Sequence, residues 1–212
     1  DLFSANLQEA DLTDASLIAA DMRGICLRDA ILVRTNLQDS DLRQGTLLTA
    51  SGDKDVGVIR SDLGRVDLSG AKAQRINLSG ANMSEATLVE TDLTGANLTG
   101  VQLNKANLQA TILHGAILPG VDLSHTDLSG ADLRTADLRG AIVAGARFDD
   151  TDLEGANVKG VDLSEAQRSA VKAATPPTPR SEDLQRIVRQ HQDWATSGGR
   201  SGARAELVER DL

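Results

Sequence analysis

Few residues in this chain have the types and spacing that chemistry requires. Asp122, Ser124 and His125 stand close together, and they are the residue types of an orienting carboxylate, a nucleophile and a base. Nucleophilic catalysis also needs a pocket, a defined base–nucleophile geometry and an oxyanion site, and a single turn supplies none of these. The histidines His114, His125 and His191 follow no metal-ligand spacing. One cysteine, Cys26, excludes an intramolecular disulfide framework and a Cys-cluster metal site. The glycines recur with a fixed period and do not form a strand-to-helix phosphate loop. No catalytic residue, metal or cofactor is therefore expected, and the question becomes which surfaces the fold presents.

Composition limits what can position those surfaces. The chain has 212 residues, of which 40% are hydrophobic and 25% charged, yet only 1% are aromatic: two Phe, one Trp and no Tyr. Ordinary cores lean on rings because each buries a large area, so this chain must have a core too narrow for them. A net charge of −9 and a pI near 4.8 disfavour direct binding to nucleic acid or to anionic membranes. No run approaches the roughly 18 apolar residues of a membrane span, and no signal-peptide pattern is present. A cytoplasmic protein without a membrane span is expected.

One period dominates. Leu or Met recurs every fifth residue from Leu2 to Leu47, and again from Leu63 to Leu138 with Ala73 as the weak member. The series continues through Val143, Phe148, Leu153, Val158 and Leu163. A small residue stands two before each centre, with Asp or Asn between them, as in Ala131-Asp132-Leu133. A period of five matches neither strand nor helix, but it does match a chain that turns a corner every five residues. A slower column, Gly80, Gly100, Gly120, Gly140 and Gly160, is spaced by twenty, as is Thr91, Thr111, Ala131 and Thr151. Four sides per coil produce that register, with coils stacked about 4.8 Å apart and glycine at corners that need φ > 0.

Ala-Asn-Leu-Thr-Gly (96–100), Ala-Asp-Leu-Arg-Thr (131–135) and Ala-Asp-Leu-Arg-Gly (136–140) resemble the repeats of the bacterial pentapeptide-repeat family. The resemblance spans residues 1–166. It implies an all-β solenoid, a right-handed quadrilateral β-helix of about eight coils, and it implies little about function. On this reading Leu93, Leu98, Leu103, Leu108, Leu113, Leu118, Leu123, Leu128, Leu133, Leu138 and Phe148 fill the lumen, which accounts for the missing rings.

The array has one break. Leu47 and Leu63 are sixteen apart. If Val56–Arg60 is a repeat centred on Val58, the irregular part is 50–55, a bulge or short contact loop. After 166 the pattern stops. A Pro-rich linker over 167–180 leads to a helical segment over 181–202, with Leu184, Ile187, Val188, His191 and Trp194 on its apolar stripe. That segment is expected to cap the array, or to lead into another one or mediate self-association. Residues 203–212 restore the five-residue spacing and read as the start of a second, truncated array. Asp1-Leu2, already in register, suggests that the first end is cut as well.

Two surface features suggest partners. Residues 1–166 hold 25 acidic and 14 basic residues, about half the charge density of duplex DNA over a rod of about 38 Å. DNA mimicry toward a topoisomerase such as gyrase, which some family members practise, is therefore the alternative function. The first choice is a non-enzymatic scaffold with an unidentified protein partner. Its candidate patch is Ile112, Ile117 and Ile142, which replace the usual Asp or Asn on what the four-sided register makes neighbouring sides. Self-association through the array ends is a further expectation.

Overall fold

The computed structural model describes residues 1–48, 56–162 and 164, all within one compact unit, Asp1–Pro176. The expected linker, the helical segment with Leu184, Ile187, Val188, His191 and Trp194, and the second array start lie outside the described residues.

The described chain is a stack of coils with four walls. Parallel bridges join the residue before each centre to its equivalent in the next coil, twenty residues on, or thirty-six from Cys26, Ile31, Asn36 and Asp41. They form four ladders, which define a first wall from Asn6 to Ile142, a second from Asp11 to Arg147, a third from Ser16 to Asp152 and a fourth from Asp21 to Asn157. Each ladder has seven rungs.

The backbone of one repeat shows why five residues suffice. Around Leu12, the Leu12 N–H donates to Ile31 O (2.7 Å) and the Asp14 N–H to Val33 O (3.0 Å), both in the next coil. The Ala15 N–H closes a turn onto Leu12 O (3.0 Å), and the Thr13 N–H donates to the Asp11 carboxylate Oδ1 (3.0 Å). The fifth donor belongs to the ladder residue and bonds the previous coil, as Ile31 N–H does with Ala10 O (2.9 Å). In an internal repeat with Asp or Asn at the ladder position no backbone donor is left over. The turn has its third residue in the left-handed region, Asp14 at φ 59, which is the type II form.

Inside, the centres are shut away from solvent. Leu93, Leu98, Leu103, Leu108, Leu113, Leu118, Leu123, Leu128 and Leu133 are 0% exposed, Leu138 is 2% and Phe148 1%. The small residues beside them are buried too. Where that residue is Thr, its methyl fills the lumen and its hydroxyl donates to a carbonyl of the preceding coil, as Thr111 Oγ1 does with Leu88 O (2.7 Å). At the first coil Leu2, Leu7, Leu12 and Leu17 are only partly covered.

The break is longer than the sequence reading allowed. Strands β1 (Gly45–Leu48) and β2 (Val56–Ile59) form an antiparallel hairpin with Gly45 opposite Ile59 and Leu48 opposite Val56. Val58 is therefore not a repeat centre. It pairs with Thr46 and is 56% exposed. Residues 50–55 fall in the connection between the strands, outside the described residues. Cys26 bridges directly to Asp62, so the array resumes in register once sixteen residues have been looped out. The root is anchored on the first coils. A Cβ on Gly24 would come within 3.2 Å of Ile59 Cβ, and one on Gly45 within 3.0 Å of the Phe3 ring. Ser61 Oγ accepts from the Gly24 N–H (3.0 Å) and donates to Arg43 O (2.9 Å).

Deleting residues 45–60 should therefore leave the array intact. Gln44 would then run into Ser61-Asp62-Leu63, a small–Asp–Leu repeat in the correct phase. Far-UV circular dichroism should keep the β signature, and the thermal midpoint should move by only a few degrees. Loss of cooperative unfolding would show that the hairpin is needed to close the coils.

Candidate functional site

The catalytic trio does not assemble. The Asp122 carboxylate accepts the Ser124 backbone N–H at 2.9 Å, which is the turn bond made in every such repeat. His125 occupies the left-handed corner at φ 58, with its ring over Gly145, where a Cβ would lie 2.5 Å from Nδ1. Among the described residues no hydrogen bond joins the three side chains, and no group of His, Cys, Asp or Glu could hold a metal ion. Cys26 is free and half-buried in the first ladder between Asn6 and Asp62. Two recesses, about 600 Å³ beside Phe3, Arg23 and Arg43 and about 310 Å³ beside Ile142 and Gly160, are open depressions.

Sequence reasoning missed what the Asp and Asn side chains do. They cap the turns. Asp11, Asp67, Asp92 and Asp127 each accept from the backbone two residues on, at 2.9–3.0 Å. Their spacing of two before a turn was the available signal. Pro119 fits the same rule. It stands two after Ile117, which has no acceptor to offer, and it brings no N–H that needs one.

The corner glycines Gly80, Gly100, Gly120, Gly140 and Gly160 have φ between 64 and 77. The left-handed corner is not confined to glycine, however, and Glu85, Lys105 and Thr135 adopt it too. At Gly100, Gly120 and Gly140 a Cβ would meet nothing within 4 Å, so conformation and not space favours glycine there.

The three isoleucines stand on three successive walls and not on one face. Ile112 belongs to the third ladder, Ile117 to the fourth and Ile142 to the first, with exposures of 39%, 45% and 54%. The first and third walls of a quadrilateral face opposite ways. Ile112 and Ile142 therefore point away from each other, while Ile117, on the wall between them, adjoins Ile112 across one edge and, about a coil further along, Ile142 across the other.

Arginines tie neighbouring coils together at the corners. Bidentate pairs join Arg34 to Asp14 (2.8 and 2.6 Å), Arg65 to Asp29 (2.6 and 2.7 Å) and Arg75 to Asp39 (2.7 and 2.8 Å). In each case the hydrogen-bonded guanidinium holds the carboxyl below the usual carboxylate range. A folded-state value below the unfolded one stabilises at neutral pH, and that contribution is lost as pH falls through the range toward the folded value. The thermal midpoint should stay level from about pH 8 to about pH 5 and decline below about pH 4. The decline should be modest, because the pairs are exposed. Replacing Arg34, Arg65 and Arg75 by Gln should flatten it, and melts across a pH series check this. A midpoint that rises on acidification would contradict a stabilising role for these pairs.

A stack of four-walled coils with a filled lumen defines a solenoid repeat protein with a repeat β-helix fold. The chain belongs to the family of Pentapeptide repeats, whose profile it matches in eight copies over residues 1–32, 12–47, 61–100, 102–140 and 131–166. The gap in the match, 48–60, contains β2 and the end of β1. Among solved structures, the chain is similar to HetL, a pentapeptide repeat protein involved in heterocyst differentiation regulation from the cyanobacterium Nostoc sp. strain PCC 7120. Identity there is 29%, over 78% of this chain and 75% of that one, with a TM-score of 0.34. It is also similar to QnrB1, a plasmid-mediated fluoroquinolone resistance protein, at 15% identity over 81% of this chain and 83% of that one, TM-score 0.33. A third is a pentapeptide repeat protein from the Arabidopsis thaliana thylakoid lumen, at 23% identity over 61% and 74%, TM-score 0.26. No curated protein sequence matches this chain. Among the described residues no helix is long and apolar enough to cross a membrane.

Proposed function

We propose that this chain is a non-enzymatic scaffold, a protein–protein interaction module within a larger pentapeptide-repeat protein. The observation that carries this reading is the closed lumen: among the described residues the centres from Met22 to Leu42 and from Leu63 to Leu153 are shut away from solvent, so reactive groups stand only on convex walls. Such walls suit docking and give little purchase for enclosing a substrate. The edge between Ile112 and Ile117 is the docking surface for a foreign partner. Ile112→Asp with Ile117→Asp should abolish capture of that partner while leaving the far-UV circular dichroism unchanged. Undiminished capture would remove this edge from the proposal.

Mimicry of DNA toward a topoisomerase is the weaker reading. Many carboxylates are engaged by arginines or turn amides, and Asn, Gln and Ile interrupt the acidic ladders. A gyrase supercoiling assay with a quinolone separates the two, since a scaffold leaves it unaffected. The finer architecture in our reading is a right-handed winding, followed by a Pro-rich linker over 167–180 and a helix over 181–202 that caps the array or leads into a second one beginning at 203. Its apolar stripe, or the array ends, could also support self-association. We place the protein in the cytoplasm.

A further inference from the structure

The negative charge of the array is unevenly shared among its walls. Over the coils from Asn77 to Gly160 the fourth wall and its trailing edge carry one carboxylate, Asp137, and two cations, Arg139 and Lys159. The other three walls carry ten carboxylates and three cations over the same coils. Two copies of an acidic rod repel through most of their surfaces, and this wall is the exception.

The fourth ladder is also complementary to itself. Its rungs run Asn77, Asn97, Ile117, Asp137, Asn157. A two-fold axis through Ile117, perpendicular to the wall, sets Ile117 against its own counterpart and each Asn97 against the other copy's Asp137. Asn97 Oδ1 already accepts from Thr99, both N–H (3.1 Å) and Oγ1 (2.7 Å). The amide is thereby fixed, and its Nδ2 donors have no acceptor among the described residues. The Asp137 carboxylate is held by Arg139, which donates its backbone N–H (3.2 Å) and Nε (2.9 Å) to Oδ1 and Nη2 (2.7 Å) to Oδ2, and the Asp137 side chain stays 26% exposed. Donor therefore meets acceptor twice, around a half-exposed isoleucine. Ile112 and Ile142 have no such surroundings, since the ladder neighbours of Ile112 are Asp92 and Asp132 and the neighbour of Ile142 is Asp122.

We propose that the fourth wall is a self-association surface, on which two copies of this chain pack antiparallel about Ile117. The five positions that overlap about this axis, Asn77 to Asn157, span about 24 Å on a wall roughly 10–15 Å wide, which puts the contact at the small, reversible end of interface sizes. The proposal stands apart from the scaffold reading, because a monomeric chain could still hold a foreign partner through Ile112.

The test places single cysteines in a Cys26→Ser background, using Ile117→Cys with Ile112→Cys and Ile142→Cys as controls on other walls. A cysteine on a two-fold axis faces its own copy. Under mild oxidation Ile117→Cys should form disulfide-linked dimer at least tenfold faster than either control, each first shown by circular dichroism to be folded. Equal rates would overturn the proposal. Sedimentation velocity of the native chain should show its average size rising over a concentration series that reaches the millimolar range. Asn97→Asp, which sets carboxylate against carboxylate across the axis, should abolish the rise. A native chain that stays monomeric throughout, or a dimer indifferent to Asn97→Asp, would equally refute it.

Discussion

Leu113→Ala should lower the unfolding free energy of the array by about 4 kcal/mol, within the 2–5 kcal/mol range of large-to-small core changes. Leu113 is fully buried and stacks in the lumen between Leu93 and Leu133. The cost should fall in the upper part of that range, because the surroundings cannot close over the cavity. The coils above and below are held at fixed spacing by ladders, with Leu113 N–H on Asp132 O at 2.7 Å and Ile112 N–H on Thr91 O at 3.0 Å. Ile112→Ala, one residue away but outward, should cost under about 1 kcal/mol, as exposed substitutions do. Urea denaturation of both variants measures the contrast. Similar losses for the two would mean that the lumen is not the source of stability. Because each coil touches only its neighbours, the damage from Leu113→Ala should also be local. Hydrogen exchange should accelerate in the coils around residue 113 and remain slow near residue 32.

Gly140→Pro should also be damaging, at about 3 kcal/mol or more. Gly140 sits at φ 64, whereas proline is confined near −65°. The same change deletes the N–H that donates to Lys159 O at 3.0 Å. Gly140→Asn tests the alternative that glycine is needed for space. A Cβ there meets nothing within 4 Å, and residues such as Asp14 and Glu85 hold the same conformation elsewhere in the array. The Asn variant should therefore lose no more than about 1 kcal/mol. A proline variant as stable as the Asn variant would mean that the left-handed corner is dispensable. Comparable large losses in both would point instead to a steric requirement at this edge.

Much of this was legible from residue spacing. The five-residue period of Leu centres and the twenty-residue columns lead to four walls and a lumen without rings, because a repeated backbone geometry must repeat its buried positions. The left-handed corners were visible only where glycine marked them, in the column from Gly80 to Gly160. The corners held by Glu85, Lys105 and Thr135 were not visible, since turn hydrogen bonds can impose a conformation that the residue type does not announce. Val58 misled for the opposite reason. Its spacing in Val56–Arg60 imitates a repeat, yet β2 finds a closer partner in β1 than in the coil below.

By itself the amino-acid sequence determined which side chains point inward and which outward, because that choice depends only on position within a five-residue unit. Tertiary structure alone decided which outward residues share a wall. Ile112, Ile117 and Ile142 look alike in the chain, and the winding sends the first and last in opposite directions. Tertiary structure also decided that sixteen residues leave the array at Gly45 and return at Ser61 without disturbing it. Register between coils is set by hydrogen bonds between residues twenty or more apart, such as Cys26 with Asp62, and no local pattern encodes a loop that those bonds can simply bypass.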